Sequence, residues 1–242
     1  MEPFVNITCS IKVAALTGAG ISAESGVPTF RDKGGIWEKY DVMAVATPQA
    51  FQKDPRLVWR FYNERRKQAR HVEPNPAHYA LARLERLLPE GDFSLITQNV
   101  DHLHRQAGSK NVYHMHGELS KTRCTRCQTV RESPEELSEL PRCPCGGLLR
   151  PHIVWFGEVP FETDTLYQIV GECDLFLVVG TSGVVHPAAG FVIHAKRSGA
   201  VTVGVNLEVP DNRLYIDHFY KGKAGEILPR LVDHWANCLG AS

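Results

Sequence analysis

Four cysteines form two close pairs within one short stretch of the chain. Cys124 and Cys127 are separated by two residues, and Cys143 and Cys145 by one. Two such pairs let two tight turns present four thiolates to a single tetrahedral ion, and four thiolates close its coordination shell. The spacing therefore predicts a structural zinc site that performs no chemistry, although Cys145 departs from the usual spacing of two intervening residues.

Two disulfides are the alternative reading of these four cysteines. Residues 1–10 show no basic region followed by an apolar one, so we expect no export. The chain has 7 cysteines, and those outside the two pairs are scattered. Both features favour zinc in a protein of the reducing cytoplasm.

A glycine-rich turn could hold a dinucleotide. Its sequence, GAGISA at residues 18–23, follows the apolar run from Ile11 to Leu16. In dinucleotide-binding turns the first glycine permits the bend, the second lets backbone N–H groups approach a pyrophosphate, and the next helix favours negative charge. A plain strand-to-helix turn is the alternative. In dehydrogenases an acidic residue that binds the ribose follows about twenty residues after this turn. This chain has no predicted strand that ends in such a residue there, and Glu208 is the nearest candidate for that role.

Alternating apolar strands and helices must position these groups. Buried strands are predicted at residues 11–16, 93–97, 175–179 and 201–205, with helical patterns at 76–88 and 188–195. This order predicts an α/β fold, a Rossmann-like parallel sheet covered on both faces. Ligands of such folds bind beyond the carboxyl ends of the strands, where polar clusters fall at residues 17–20, 98–101, 180–182 and 206–208.

Two segments interrupt this alternation, the aromatic-rich residues 34–75 and the cysteine segment 119–149. We interpret them as the helical part and the zinc part of one small inserted domain. Residues 1–33, 76–118 and 150–242 then form the Rossmann-like dinucleotide-binding domain.

The composition is that of a globular enzyme. Lys+Arg and Asp+Glu both number 27 among 242 residues, so the formal net charge is zero. A balanced chain has no overall attraction to nucleic acid or anionic membranes, and no apolar run is long enough to cross a bilayer. We expect neither direct nucleic-acid binding nor membrane attachment.

Together these motifs resemble the motif set of the sirtuins, which are NAD-dependent protein lysine deacylases. The similar segments are the cysteine pairs and residues 18–31, 97–101, 114–118, 154–158, 180–182 and 206–208. They follow in order along nearly the whole chain, which resembles a compact bacterial-type member. The resemblance implies NAD as co-substrate, acylated lysine side chains of proteins as substrates, and nicotinamide and O-acyl-ADP-ribose as products.

The implied reaction needs a base to deprotonate a ribose hydroxyl, and histidine suits this step near neutral pH. In a strand, His114 and His116 would point to the same face, and only the resemblance selects His116. The resemblance also places Asn99 and Asp101 in the nicotinamide pocket as catalytic residues. Helix capping is their alternative role.

The remaining site residues come from the resemblance as well. Contacts to NAD are expected at Gly18, Ala19, Gly20, Ile21, Glu24, Thr29, Phe30, Arg31, Trp37, Gln98, Asn99, Val100, Asp101, Gly180, Thr181, Ser182, Asn206, Leu207, Glu208 and Ala224. Phe30 and Arg31 belong to the loop expected to close over the cofactor. Val154, Trp155, Phe156 and Gly157 are expected to pair with the substrate peptide by strand addition, with an ordinary strand as the alternative.

Tyr62 and Arg65 concern the acyl group. Three residues apart, they share a helix face, and a guanidinium with a phenol can receive a carboxylate. The neighbouring arginines make a solvated basic face the simpler reading of the residues themselves. By resemblance, however, this Tyr-x-x-Arg pattern marks sirtuins that remove succinyl and malonyl groups, and bacterial members commonly remove acetyl groups too. We therefore expect both activities.

Three alternatives stay open at this point. They are a conventional NAD oxidoreductase, an ADP-ribosyl transferase that shares the first chemical step, and a zinc-ribbon binding module without enzymatic activity.

Overall fold

A computed structural model describes residues 3–8, 10–29, 40–133 and 140–240. Its strands are β1 (Val13–Thr17), β2 (Phe93–Thr97), β3 (Val112–His114), β4 (Gly117–Cys124), β5 (Val130–Glu132), β6 (Leu149–Ile153), β7 (Leu175–Val179), β8 (Val201–Asn206) and β9 (His218–Lys221). A parallel sheet has the order β3-β2-β1-β7-β8-β9, and a smaller antiparallel sheet has the order β5-β4-β6.

The helices are α1 (Ala19–Ala23), α2 (Val42–Val45), α3 (Pro48–Lys53), α4 (Pro55–Ala69), α5 (Pro76–Leu87), α6 (Leu103–Gln106), α7 (Thr163–Glu172), α8 (Ala188–Arg197) and α9 (Ala224–Cys238). Capping side chains fix four of the starts, and at α2 the cap is Asp41. Thr47, Asp54 and Asn75 each accept a backbone N–H of the first turn, and a proline follows each of them. Among the described helices, none combines the length and apolar character that crossing a bilayer requires.

Apolar layers cover both faces of the parallel sheet. On one face α5 and α9 contribute Leu81, Leu84, Leu231 and Trp235 to a buried cluster. On the other face α7 and α8 bury side chains such as Leu166 and Phe191. Strands between two such layers must be apolar on both sides, and all five residues of β1 and of β7 are buried. The predicted doubly covered sheet is confirmed.

The antiparallel sheet and helices α2 to α4 share a third apolar cluster, with Trp59, Phe61 and Tyr62 at its centre. The indole N–H of Trp59 donates to the backbone carbonyl of Leu149 at 2.9 Å, which ties α4 to β6. The division of the chain into two domains stays a prediction, and its boundary at residues 33 and 34 lies outside the described residues.

The pattern of apolar residues did not predict every strand. Strands β3 and β9 were not predicted from apolar runs, because the first has three residues and the second has lysine and histidine at its ends. Strand β1 also runs one residue beyond Leu16, and β8 includes Asn206. Both shifts move a polar residue into the carboxyl end of a strand.

The glycine turn passes unusually close to the end of β7. Gly18 donates its N–H to the carbonyl of Val179 at 3.0 Å, and Gly20 to that of Gly180 at 2.8 Å. A Cβ on Gly20 would lie 2.8 Å from the Cα of Gly180, and Gly180 itself has φ +61°. These glycines are therefore required by the crossing of two backbones, and the N–H groups of Gly18 and Gly20 are already used within the fold.

We predict that Gly20→Ala destabilises the protein by roughly 1–3 kcal/mol, because the added methyl must force two central strand ends apart. Gly190→Ala in α8 is the matched control, since its Cβ would meet nothing closer than the hydroxyl of Tyr167 at 3.5 Å. Thermal or denaturant unfolding measures both. If the Gly20→Ala protein were as stable as its parent, the glycine turn could move away from Gly180 without a cost in free energy, contrary to this prediction.

Candidate active site

A cleft of about 1060 Å³ runs along the carboxyl ends of the parallel strands. The register aligns these ends, because Thr17 lies opposite both Thr97 and Val179. The four polar clusters predicted after the strands contribute to the same wall. Helix α4 and the segment after β6 line other parts of the cleft.

Most of the predicted site residues that the structure describes line this cleft. They are Gly18, Ala19, Gly20, Glu24, Thr29, Tyr62, Arg65, Gln98, Asn99, Val100, Asp101, His116, Val154, Trp155, Phe156, Gly157, Gly180, Thr181, Ser182, Asn206, Leu207, Glu208 and Ala224. Ile21 is fully buried in the core beneath the turn. Phe30, Arg31 and Trp37 lie outside the described residues.

Hydrogen bonds tie the strand ends to one another. Gln98 donates its side-chain amide to the hydroxyl of Thr181 at 3.1 Å, and Asn206 donates to the backbone carbonyl of Thr181 at 2.9 Å. Glu24 accepts the backbone N–H of Gly225 at 2.9 Å and so holds the first turn of α9. Its carboxylate therefore positions the start of α9, where Ala224 lines the cleft.

A largely buried polar network forms part of the cleft wall. Asn99 donates to the carbonyl of Gly18 at 3.1 Å and to the hydroxyl of Ser22 at 3.0 Å, and Ser22 donates to Asp101 at 3.0 Å. Asp101 also accepts the N–H of Leu103 at 3.2 Å, so capping is part of its role. Burial raises the pKa of the Asp101 carboxyl.

Sequence reasoning assigned no role to His78 or Ser22. His78 accepts the N–H of Asn75 on Nδ1 at 3.2 Å, and its Nε2 lies 3.5 Å from the hydroxyl of Ser22. Burial lowers the pKa of His78 to about 4, so the ring is neutral and carries its proton on Nε2. Ser22 lies within the glycine motif, but no spacing signal marks His78 inside its apolar helix.

His116 presents one ring nitrogen to the cleft. Its Nδ1 lies 3.0 Å from the backbone carbonyl of Gln98, which can only accept a hydrogen bond. The proton of the neutral ring therefore resides on Nδ1, and Nε2 keeps its lone pair. Burial lowers the pKa of His116, so this unprotonated form extends below the usual range.

His114 and His116 do not share a strand face. Strand β3 ends at His114, and the chain then turns. The His114 side chain is buried, with Nε2 3.8 Å from a carboxylate oxygen of Glu118, whereas His116 lines the cleft. The strand geometry considered for this pair was wrong, because it assumed that the strand continues.

Tyr62 and Arg65 enter the cleft from α4. The hydroxyl oxygen of Tyr62 accepts the indole N–H of Trp155 at 2.9 Å, and burial raises the pKa of Tyr62 to about 12. Arg65 is half-buried one turn further on, while Arg60 on the same helix is exposed. The residues thus share a face as the helical spacing predicted.

Residues 154–157 follow β6 and do not continue it as a strand. The backbone N–H of Val154 donates to the carbonyl of His116 at 2.9 Å, and that of Phe156 to the carbonyl of Ala46 at 3.0 Å. The N–H of Trp155 donates to Glu158 at 2.9 Å. The alternative of an ordinary strand is wrong at these residues.

The four paired cysteines meet at one point. Their sulfur atoms all lie within 4.8 Å of one another, with 3.5 Å between Cys124 and Cys145 and 3.7 Å between Cys127 and Cys143. A tetrahedral ion with metal–sulfur bonds of about 2.3 Å separates its ligands by about 3.8 Å, whereas a disulfide separates them by about 2 Å. The cluster fits zinc, and Cys145 belongs to it despite the short spacing.

Comparisons with known proteins identify the class. The profile of the Sir2 family matches residues 18–187. The chain is 49% identical to an NAD-dependent protein deacylase of Pasteurella multocida, over 93% of this chain and 98% of that protein. It is 51% identical to one of Pyrococcus furiosus, over 90% and 91% of the two chains. A Sir2 homologue in complex with NAD superposes with a TM-score of 0.88 at 44% identity, covering 96% and 92%.

The chain belongs to the Sir2 family. The resemblance seen in its motifs is confirmed, and so is the α/β Rossmann-like fold with a smaller antiparallel sheet and a cysteine cluster. NAD is its co-substrate, and the four thiolates fit a structural zinc ion.

We predict that Cys145→Ala lowers the zinc content and the free energy of unfolding by more than about 2 kcal/mol, because a structural metal contributes folding energy. Cys238→Ala on α9, outside the cluster, is the matched control. Metal analysis and thermal unfolding measure the two effects. Full zinc occupancy after loss of Cys145 would remove it from the ligand set.

We predict that kcat/KM for deacylation stays constant as the pH falls through 6.5 and drops only below it, because burial lowers the pKa of His116 and a base acts unprotonated. His116→Ala should lose at least about 10²-fold in kcat, with His114→Gln losing far less. Steady-state kinetics across pH measures this. An acid limb above pH 6.5, or a His116→Ala protein of normal rate, would refute the assignment.

Proposed function

We propose that this Sir2 family member removes acetyl, succinyl and malonyl groups from protein lysines with NAD, releasing nicotinamide and O-acyl-ADP-ribose. NAD-dependent deacylation of proteins is the activity named for its relatives along nearly their whole length. The observation that carries the finer proposal is the shared cleft, which is lined by the glycine turn, His116 and the Tyr62–Arg65 pair.

His116 serves as the proton acceptor in this proposal. NAD supplies an electrophilic ribose carbon and a leaving nicotinamide, and the acyl-lysine amide oxygen is the matching nucleophile. His116 takes the proton of a ribose hydroxyl on Nε2, since Nδ1 is committed to Gln98. The carbonyl of Gln98 then stabilises the protonated ring, as an acceptor does for an imidazolium.

Asn99 and Asp101 hold the nicotinamide side of the cleft. Both are buried, and both are fixed through Ser22 rather than by solvent. Side chains that are already oriented pay no reorganisation cost when the reaction creates charge. In this proposal the two residues orient the departing nicotinamide, while His116 accepts the proton of the ribose hydroxyl.

Two features of Tyr62 and Arg65 support an acidic acyl group as substrate. An indole N–H can only donate, so the Tyr62 oxygen is the acceptor from Trp155 and its own hydrogen can be donated to a ligand. Arg65 stands one helical turn away and adds a positive charge on the cleft wall. A phenol donor beside a guanidinium matches a terminal carboxylate.

The geometry favours this receptor over a solvated basic face. Among the helix α4 arginines, Arg65 lines the cleft, whereas Arg60 is exposed on another side of the helix. Burial lowers the pKa of Arg65, and a desolvated cation binds an anion more strongly than an exposed one. The role proposed for the exposed arginines of α4, Arg56 and Arg60, is solubility.

The substrate peptide is proposed to lie along residues 154–157. This segment lines the cleft directly beside His116, to which Val154 is hydrogen-bonded, and Phe156 is 52% exposed there. Three successive N–H groups already have acceptors within the protein. A peptide that adds to this segment therefore donates its own N–H groups to carbonyl oxygens of the segment.

The decisive experiment is a panel of one peptide bearing acetyl-, succinyl- or malonyl-lysine, incubated with NAD and followed by mass spectrometry. Release of nicotinamide with transfer of all three acyl groups is expected. Production of reduced NAD would indicate an oxidoreductase, and ADP-ribosylated peptide would indicate a transferase.

We predict that Arg65→Met lowers the ratio of desuccinylation to deacetylation by roughly 10- to 100-fold, the value of one charge-assisted hydrogen bond. Arg60→Met, which removes an exposed charge from the same helix, should leave the ratio unchanged. The kcat/KM values for both peptides measure this. Desuccinylation that survives while deacetylation falls would contradict the carboxylate receptor.

A further inference from the structure

Arg150 is a buried cation that the proposed chemistry does not use. It lies on β6 and is 8% exposed. Its Nη1 and Nη2 donate to the two carboxylate oxygens of Glu158 at 2.6 and 2.8 Å, and Nη2 also donates to the carbonyl of Ile153 at 2.9 Å. This bidentate pairing holds the planar guanidinium in one orientation.

The guanidinium and its partner together hold Trp155. The Cζ of Arg150 lies 3.5 Å from the centroid of the Trp155 ring, which is the geometry of a cation–π contact. Glu158, while bound to Arg150, accepts the backbone N–H of Trp155 at 2.9 Å. Both the ring and the backbone of Trp155 are therefore fixed by one ion pair.

Trp155 in turn fixes the hydroxyl of Tyr62. The indole N–H donates to it at 2.9 Å, and the two side chains are 2% and 1% exposed. No solvent competes for this bond, so the direction of the Tyr62 hydroxyl follows the position of the indole. The contact spans 93 residues of sequence and links the segment after β6 with α4.

Stability gives a poor explanation for this arrangement. The side chains of Arg150 and Glu158 are 10% and 22% exposed, and an ion pair that is mostly desolvated gains little net stability over apolar side chains of the same size. The Nε of Arg150 is also buried and has no hydrogen-bond partner among the described residues. An unpaired buried donor costs free energy, which favours a role in positioning.

We propose that Arg150 is a positioning residue for acyl recognition, which acts through Trp155 to aim the Tyr62 hydroxyl at the carboxylate of an acidic acyl group. The inference rests on the proposed function, in which Tyr62 and Arg65 receive that carboxylate. Arg150 itself does not touch the substrate. Its loss should therefore change selectivity among acyl groups more than the chemical step.

The test is a double-mutant cycle of Arg150→Lys and Tyr62→Phe, with kcat and KM measured on succinyl- and acetyl-lysine forms of one peptide. Lysine keeps the charge but lacks the planar fork and the flat stacking surface. Arg150→Lys should raise KM for the succinyl peptide by about fivefold more than for the acetyl peptide. In the Tyr62→Phe background this difference should vanish.

Arg123→Lys is the matched control. Arg123 approaches the same carboxylate, with 3.8 Å between its Nη2 and an oxygen of Glu158, but it stacks over Phe161. The acyl ratio should not change in this variant. If the Arg150→Lys protein does not fold by circular dichroism, Trp155→Phe replaces it, since it removes the indole N–H and keeps an aromatic ring.

Four results overturn the inference. Equal losses for both acyl groups would assign Arg150 a structural role, and an undiminished effect in the Tyr62→Phe background would break the link to the hydroxyl. A parent enzyme that does not remove succinyl groups, or does so without Arg65, would overturn the proposed function as well. Succinyl preference that needs Arg65 but not Arg150 would overturn the present inference only.

Discussion

The packing of the glycine turn against the end of β7 is the contact on which the cleft depends. Strand β1 lies between β2 and β7, and its turn approaches Gly180 so closely that neither side has room for a methyl group. The N–H groups of Gly18 and Gly20 donate hydrogen bonds to that strand end and hold the two backbones in contact. This contact sets the spacing of the loops that follow the central strands, and the wall of the cleft is made of those loops.

Burial then decides how the polar groups of the cleft behave. The network of Asn99, Ser22 and Asp101 is largely buried at the cleft wall, and each of these groups has a partner within the protein. Desolvation keeps His78 and His116 unprotonated near neutral pH and raises the pKa of Asp101. The protonation states thus follow from the fold, and the contact between Nδ1 of His116 and the carbonyl of Gln98 leaves Nε2 without a proton.

The sequence predicted those structural features that leave a local pattern of residues. Strands buried on both faces, such as β7, give apolar runs, and paired cysteines give a metal spacing. Strand β3 is too short to leave an apolar run in the sequence. The chain turns after His114, so His114 and His116 do not point to one face as they would in a continuous strand. The bond from Trp155 to Tyr62 joins residues 93 apart and follows from packing, which no local pattern records. Roles within the cleft were available only through the resemblance to sirtuins.

The bond from Trp59 to the carbonyl of Leu149 has a consequence for engineering. Leu149 lies opposite Cys124 in the antiparallel sheet, and Trp59 belongs to the helix that carries Tyr62 and Arg65. The antiparallel sheet that carries the cysteine-bearing loops is therefore joined to α4 by a direct hydrogen bond. A chimera that receives foreign metal-binding loops must therefore keep the backbone carbonyl at position 149 in place, because α4 otherwise loses this hydrogen bond.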